Sequence, residues 1–315
     1  MSRITTGWLA RHTPQGPGGR HAALIDVAQD LLLAHLHEQA TFEHLVFKGG
    51  TALRKLYAGN AGRFSTDLDF SVRDPADDPT VVSDLLRGEI DGLEIDGFHY
   101  RVDDHRGRPQ VAYDTPFGGV GNLTTKLDIG PAPWLPPDQR GWIRLAIHDA
   151  YDLPTALPVM ALTENMAEKI ARLTRRTPAR DVYDLVWIAT NSPHSSFDRA
   201  AVRRLAVLKN WVDQYGLASP PTLWSPVSGA VAYDPALWRR ARTAADFDEQ
   251  SIGLLAVPPP SLNELSEQLR SLYGFLAELD DIELAILAGG ASSRGQVLDA
   301  IRQLHGARYA DRALY

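Results

Sequence analysis

Phe64-Ser65-Thr66-Asp67-Leu68-Asp69-Phe70-Ser71-Val72 is the stretch on which the fold turns. Leu68, Phe70 and Val72 alternate with polar residues, the period of a strand with one face in a core. Residues two apart in a strand share a face, so Asp67 and Asp69 point the same way. Two neighbouring carboxylates repel each other unless a cation lies between them. A bare D-x-D of this kind is otherwise an exposed acidic pair at a strand end. Upstream, Leu45-Val46-Phe47 is a short apolar strand that runs into Gly49-Gly50, and Thr51 is placed to cap a helix through Leu53 and Tyr57. Such a turn presents backbone N–H groups and the positive end of a helix dipole, which suit a triphosphate. Downstream, Lys126-Leu127-Asp128-Ile129 reads as another strand with a third carboxylate, or, with Lys126 beside it, as an edge strand with ordinary surface charges. Asp67, Asp69 and Asp128 together are the donor set for two Mg²⁺ ions, or Mn²⁺, which activate a hydroxyl and hold a triphosphate for in-line displacement.

The rest of the chain is consistent with an α/β core followed by helices. His21 to Gln39 places Leu24, Val27, Leu31, Leu32 and Leu36 at helical spacing, an amphipathic helix. Val81 to Ile90 reads as a helix, Leu93 to Val102 and Pro109 to Tyr113 as strands, Gly118-Gly119 as a loop, Asn122 to Ile129 as a strand, and Trp142 to Ile147 as a last strand. From Pro158 the pattern turns helical: Met160 to Arg176, Arg180 to Thr190, Asp198 to Gln214, Leu262 to Leu287 and Gln296 to Leu304, with breaks at Pro193, Pro220-Pro221 and Pro258-Pro259-Pro260. The expected organisation is an N-terminal arm (1–20), a mixed-sheet α/β (α+β) core (21–150) and a C-terminal α-helical domain (151–315), with the active site in the groove between core and helical domain.

Composition narrows the class. The chain has 315 residues, 44% hydrophobic and 23% charged, the balance of a soluble globular protein. It has no Cys, which excludes disulfides and Cys-ligated metal and fits a reducing cytoplasm. No stretch reaches the roughly 20 apolar residues of a membrane span, and the first 20 residues lack the apolar core of a signal peptide. The net charge of −7 argues against a protein that coats nucleic acid, though not against a local basic groove. The 10 His residues show no pair at helical spacing backed by a third ligand, so no zinc site is expected, and His35 and His37 are read as surface groups.

Phe47-Lys48-Gly49-Gly50-Thr51-Ala52-Leu53-Arg54, followed by Arg63-Phe64-Ser65-Thr66-Asp67-Leu68-Asp69-Phe70, resembles the first two motifs of the AbiEii nucleotidyltransferases, type IV toxins that include the mycobacterial MenT enzymes. Glu164 to Arg172 resembles the helix that carries the family lysine, here Lys169, and Arg180-Asp181-Val182-Tyr183-Asp184-Leu185 resembles the R-D-x-Y-D-L motif. The gap between Gly50 and Asp67 is longer than the wider superfamily's but suits this family. The resemblance spans residues from about 20 to 190. It implies a DNA-polymerase-β-like nucleotidyltransferase core, an NTP substrate, transfer of a nucleotide to the 3′ end of tRNA, and a cognate antitoxin as partner.

The basic residues fit that expectation. Lys169, Arg172 and Arg176 share a helix face, with Arg175 and Arg180 close in sequence. On pattern alone this is a solvated helix face. The resemblance assigns Lys169 to the triphosphate or the leaving pyrophosphate, and Arg172 and Arg176 to phosphates or an RNA backbone, with Arg180 also counted to the nucleotide site. Asp181 or Asp184 would orient Lys169 or Arg180, and the resemblance places the family's catalytic acid at Asp181. Gly49, Gly50 and Thr51 are expected to cradle phosphates, with Arg54 assisting. Ser65 corresponds to a serine phosphorylated by the antitoxin in some mycobacterial relatives, where a phosphate would repel metal-bound triphosphate; it is equally a turn serine. Arg203-Arg204, Trp238 and Arg239-Arg240 read as surface and packing residues, with an RNA-binding face as the alternative. An enzyme with a protein or small-molecule acceptor, and an inactive nucleotide- or antitoxin-binding module, are the alternatives to the tRNA reading.

Overall fold

A computed structural model describes residues 4–105, 108–118, 123–217, 225–256 and 258–304. Gly119, Asn122, Pro220 and Pro221 lie outside the described residues. The chain packs as two compact units. The first comprises Met1–Ala132, Pro137–Val159 and Gly253–Pro258; the second comprises Pro133–Pro136, Met160–Ile252 and Pro259–Tyr315. Among the described residues, no helix is long and apolar enough to cross a membrane.

The first unit is built on an eight-stranded mixed sheet with order β3-β4-β5-β6-β2-β1-β8-β7. Its strands are β1 (Leu45–Lys48), β2 (Asp67–Val72), β3 (Glu94–Ile95), β4 (Phe98–His105), β5 (Arg108–Asp114), β6 (Leu123–Gly130), β7 (Asp138–Arg140) and β8 (Leu157–Val159). β2 runs parallel to β6 and antiparallel to β1, and β1 runs parallel to β8. The helices are α1 (Thr6–His12), α2 (Gly19–Glu38), the short α3 (Gly49–Leu53), which continues as a wider turn through Ala58, and α4 (Pro79–Ile90), capped by Asp78. The apolar residues Leu68, Phe70, Val72 and Leu127 are buried, while the polar residues between them take the other face.

Four expectations that bear on the first unit and its boundary are corrected. Trp142 to Ile147 is not a strand: the Trp142 Nε1 donates to Asp30 at 3.1 Å and the Ile143 N–H to the Lys55 carbonyl at 2.9 Å, so the run covers the core instead. The sheet's last strands are β7 and β8, and because β8 pairs with β1 the helical region starts after Val159 rather than at 151. Thr51 is not a cap, because α3 already starts at Gly49 with Lys48 as its N-cap residue. α2 is not amphipathic in the expected sense. Asp26, Gln29 and Asp30, on its supposed polar face, are all buried.

That burial is possible because the acids are paired. Lys55 Nζ lies 3.0 Å from Asp26 Oδ1 and 2.6 Å from Asp30 Oδ1. Arg54 and His12 reach Asp26 at 3.3 and 2.9 Å, and Tyr151 and His148 reach Asp30 at 2.8 and 3.3 Å. Burial pushes Asp26 and Asp30 upward, but Lys55 above all outweighs it. Asp26 ends well below the usual carboxylate range, and Asp30 goes down to about 2. A depressed folded-state pKa contributes stability above the unfolded value, and that contribution is lost as pH falls through the folded one. Denaturation by urea should therefore become easier between pH 4 and pH 2, with Asp30 responsible for on the order of 2 kcal/mol. Asp30→Asn should flatten that dependence; an equally steep fall in the variant would contradict it.

The second unit is helical: α5 (Leu162–Leu173), α6 (Ala179–Thr190), α7 (Arg199–Tyr215), α8 (Leu262–Tyr273), α9 (Asp281–Gly289) and α10 (Arg294–Arg302). The single helix expected over 262–287 is two. Gly274–Ala277 makes a tight turn, and Asp280 then starts α9 with a capping box to Glu283. Tyr273 and Tyr233 are buried and donate to the carbonyls of Leu185 and Leu276, at 2.8 and 2.9 Å, which ties α8 and the turn after it into the unit's core.

Candidate functional site

In the first unit, strand register gathers the acidic residues. Asp69 is the direct partner of Asp128 across the β2–β6 ladder, and Asp67 is the partner of Lys126. Neighbouring strands lie about 4.8 Å apart, so the Asp69–Asp128 rung sets two carboxylates side by side, with Asp67 one pleat along on the same face. β6 lies inside the sheet, between β5 and β2, so Asp128 is not on an edge.

The glycine turn abuts this face. Gly49 has φ +80, a conformation L side chains rarely adopt, and a Cβ there would fall 2.1 Å from Asp69 Oδ2. Asp69 thus rests on the Gly49 backbone. A Cβ on Gly50 would fall 2.1 Å from an Arg63 guanidinium nitrogen and 3.5 Å from Ser65 Oγ. The Thr51 hydroxyl donates to the Asp67 carbonyl. Its side chain therefore fixes the start of β2. Ser65 is buried beside the turn. Gly49→Ala should cost about 1–2 kcal/mol through the left-handed backbone and displace Asp69 as well. Thermal unfolding together with an activity assay checks this; full activity would contradict the packing of Asp69 on Gly49.

Not every expected residue joins this face. Arg54 is buried in the core, its guanidinium on the carbonyls of Gly59 and Gly62, on Asp26, and 4.0 Å over the Phe64 ring. A phosphate role is not what that placement supports. Lys48 and Arg63 also belong to this region without having been singled out in the sequence, and Lys126, the ladder partner of Asp67, lies on an interior strand and not on an edge. Lys48 is the β1 partner of Asp69, a pairing invisible without the sheet order.

The donor set fits a hard divalent cation, since carboxylate oxygens are that cation's ligands. Among the described residues, no three His, Cys, Asp or Glu side chains form a ready-made cage, Asp67, Asp69 and Asp128 included. Mg²⁺ does not require one; it usually binds one or two carboxylates plus waters and substrate phosphates.

In the second unit, Lys169 is buried between α5 and α6. Its Nζ lies 2.9 Å from Asp181 Oδ1 and 2.9 Å from Asp184 Oδ2, and Arg172 reaches Asp181 Oδ2 at 3.0 Å. Both acids therefore orient Lys169, and the choice between them disappears. The expected bare basic face is instead a set of pairs: Arg175 with Asp213, Arg176 with Asp248 at 3.8 Å and Arg180 with Glu249 at 3.7 Å. Only Arg172, Arg176 and Arg180 keep substantial exposure, with side chains 38%, 51% and 34% accessible. Arg203 and Arg204 pair with Asp280 and Glu283 and so brace the start of α9, and Trp238 is buried, which fits packing rather than base stacking.

A second buried cluster was not read from the sequence. Glu164 accepts the backbone N–H groups of Trp134 and Leu135, both at 2.8 Å, and pairs with Lys209 at 2.6 Å. Lys209 also lies 4.2 Å over the Trp134 ring. It anchors the segment Pro133–Pro136 to the helices.

A family model described as nucleotidyl transferase AbiEii toxin, type IV toxin–antitoxin system, matches residues 30–274. Among solved structures, the chain is similar to MenT4, a nucleotidyltransferase toxin from Mycobacterium tuberculosis H37Rv, with 35% identity and a TM-score of 0.80 over 96% of this chain and 99% of that one. No curated protein sequence matches it.

Proposed function

We infer the function from one premise: this chain belongs to the AbiEii family of nucleotidyltransferase toxins. In this reading it transfers a nucleoside monophosphate from an NTP to the 3′ end of tRNA in the cytoplasm, which blocks translation and growth, and an antitoxin restrains it. The observation that carries the chemistry is the Asp69–Asp128 rung, with Asp67 on the same face and the Gly49-Gly50 turn against it.

A divalent cation held by Asp67 and Asp69 would supply Lewis-acid stabilisation of the triphosphate charge. Asp128 takes the proton of the acceptor hydroxyl. The hydroxyl oxygen bonds to the α-phosphorus, the bond from that phosphorus to the bridging oxygen breaks, and pyrophosphate leaves with the electron pair. The N–H groups of Gly49, Gly50 and Thr51 donate to phosphate oxygens. Lys169, with Arg172 and Arg180, is given to phosphate charge by the family resemblance. Asp181 and Asp184 support it, as the observed ion pairs favour. Ser65, beside the turn, is the candidate for modification by the antitoxin.

The net charge of −7 favours one second reading, a protein or small-molecule acceptor. Induced expression followed by sequencing of tRNA 3′ ends tests the choice. Growth arrest with extended tRNA ends is expected. Growth arrest with unaltered ends would move the acceptor to the second reading.

A further inference from the structure

Gly130 ends β6 without needing glycine's conformational freedom, since its φ is not positive. Glycine in a strand is a cost unless something must come close. What comes close is Lys48: its Nζ lies 3.2 Å, and its Cε 3.9 Å, from where a Cβ on Gly130 would stand. Lys48 starts from β1, opposite Asp69, while Gly130 pairs with Ser71 on β2. The Lys48 side chain therefore crosses β2 from one neighbour strand to the other. Its ammonium reaches the Ser71–Gly130 rung, two residues along from the Asp69–Asp128 rung on the same face, a step of roughly 7 Å. Ser71 Oγ lies 3.8 Å from the same Cβ position and is buried without a hydrogen-bond partner. The space that Gly130 leaves open thus holds the Lys48 ammonium, beside the Ser71 hydroxyl and one pleat along from the Asp69–Asp128 rung.

We propose that Lys48 is the internal counter-ion of the Asp69–Asp128 rung, a positioning residue that balances this acidic pair and thereby sets how tightly the pair takes a divalent cation. The inference rests on the metal reading given above. A fixed positive charge beside two metal-binding carboxylates lowers their affinity for a second cation and favours an anionic nucleotide. Lys48 then weakens, without abolishing, occupation of the site by metal alone, and metal binds more tightly once triphosphate is present.

The test is Mn²⁺ binding to the full chain at low ionic strength without nucleotide, followed through the spin-resonance signal of free Mn²⁺. Lys48→Met and Lys48→Gln should each bind Mn²⁺ roughly fivefold tighter than the unmutated protein. Lys48→Arg should return the affinity close to its starting value. A residue with only a packing role would not divide its variants by charge in this way. If both neutral variants bind Mn²⁺ equally or more weakly, while Asp69→Asn abolishes binding, the counter-ion is wrong and the metal reading stands. If the unmutated protein shows no Mn²⁺ binding that Asp69→Asn removes, both fall together.

Discussion

Asp67→Ala is expected to lower nucleotidyl transfer by about 10³-fold or more, the scale of losing a principal electrostatic element of a transition state. The variant should still fold. Thr51 grips the main-chain carbonyl of Asp67, which alanine keeps, and the Asp67 side chain sits on the partly accessible face of β2 rather than in the core. Removal of a side chain in such a position typically changes stability by about 0.5 kcal/mol or less. Equal urea midpoints with transfer lost would separate chemistry from folding. Substantial residual transfer in a folded Asp67→Ala protein would remove Asp67 from the metal site.

Lys169→Ala should behave differently, because it strikes both stability and activity. The ammonium is buried and shared by Asp181 and Asp184. Its removal leaves two buried carboxylates facing one another without the cation between them, a change that typically costs about 3–5 kcal/mol. A lower urea midpoint is therefore expected together with lost transfer. Replacing the whole set (Lys169→Met, Asp181→Asn and Asp184→Asn) should recover much of the stability and none of the transfer. Full stability in Lys169→Ala would show that α5 and α6 do not depend on this pairing.

Much of this was legible in the chain because its strongest local patterns agree with the fold. The alternation around Leu68 and Phe70 gave β2 and put Asp67 and Asp69 on one face, and Asp128 was found on its own strand. The pairing of Asp69 with Asp128 was not legible, because strand order is set by tertiary packing and not by local period. For the same reason Lys48, the ladder partner of Asp69 on β1, carried no sign of that pairing. The apolar spacing over His21 to Gln39 showed the helix but not the burial of Asp26 and Asp30, because Lys55 and Arg54 arrive from another segment to pair with them. Trp142 to Ile147 had the apolar content of a strand, but its Trp142 indole and Ile143 N–H are spent on Asp30 and Lys55. β8 was hidden by its brevity and by Pro158 in its middle. Arg54 followed the glycine motif in sequence yet turns into the core, where Phe64 and the Gly59 and Gly62 carbonyls hold it.

The central claim is that the Asp67, Asp69 and Asp128 face performs metal-dependent nucleotidyl transfer. The most direct measurement incubates the purified chain with Mg²⁺, each α-labelled NTP in turn and total tRNA, beside the Asp67→Ala variant. Label should appear on tRNA with the unmutated protein and Mg²⁺, and vanish with chelation or with Asp67→Ala. Label that persists in the variant, or no label on any acceptor despite intact folding, would contradict the account.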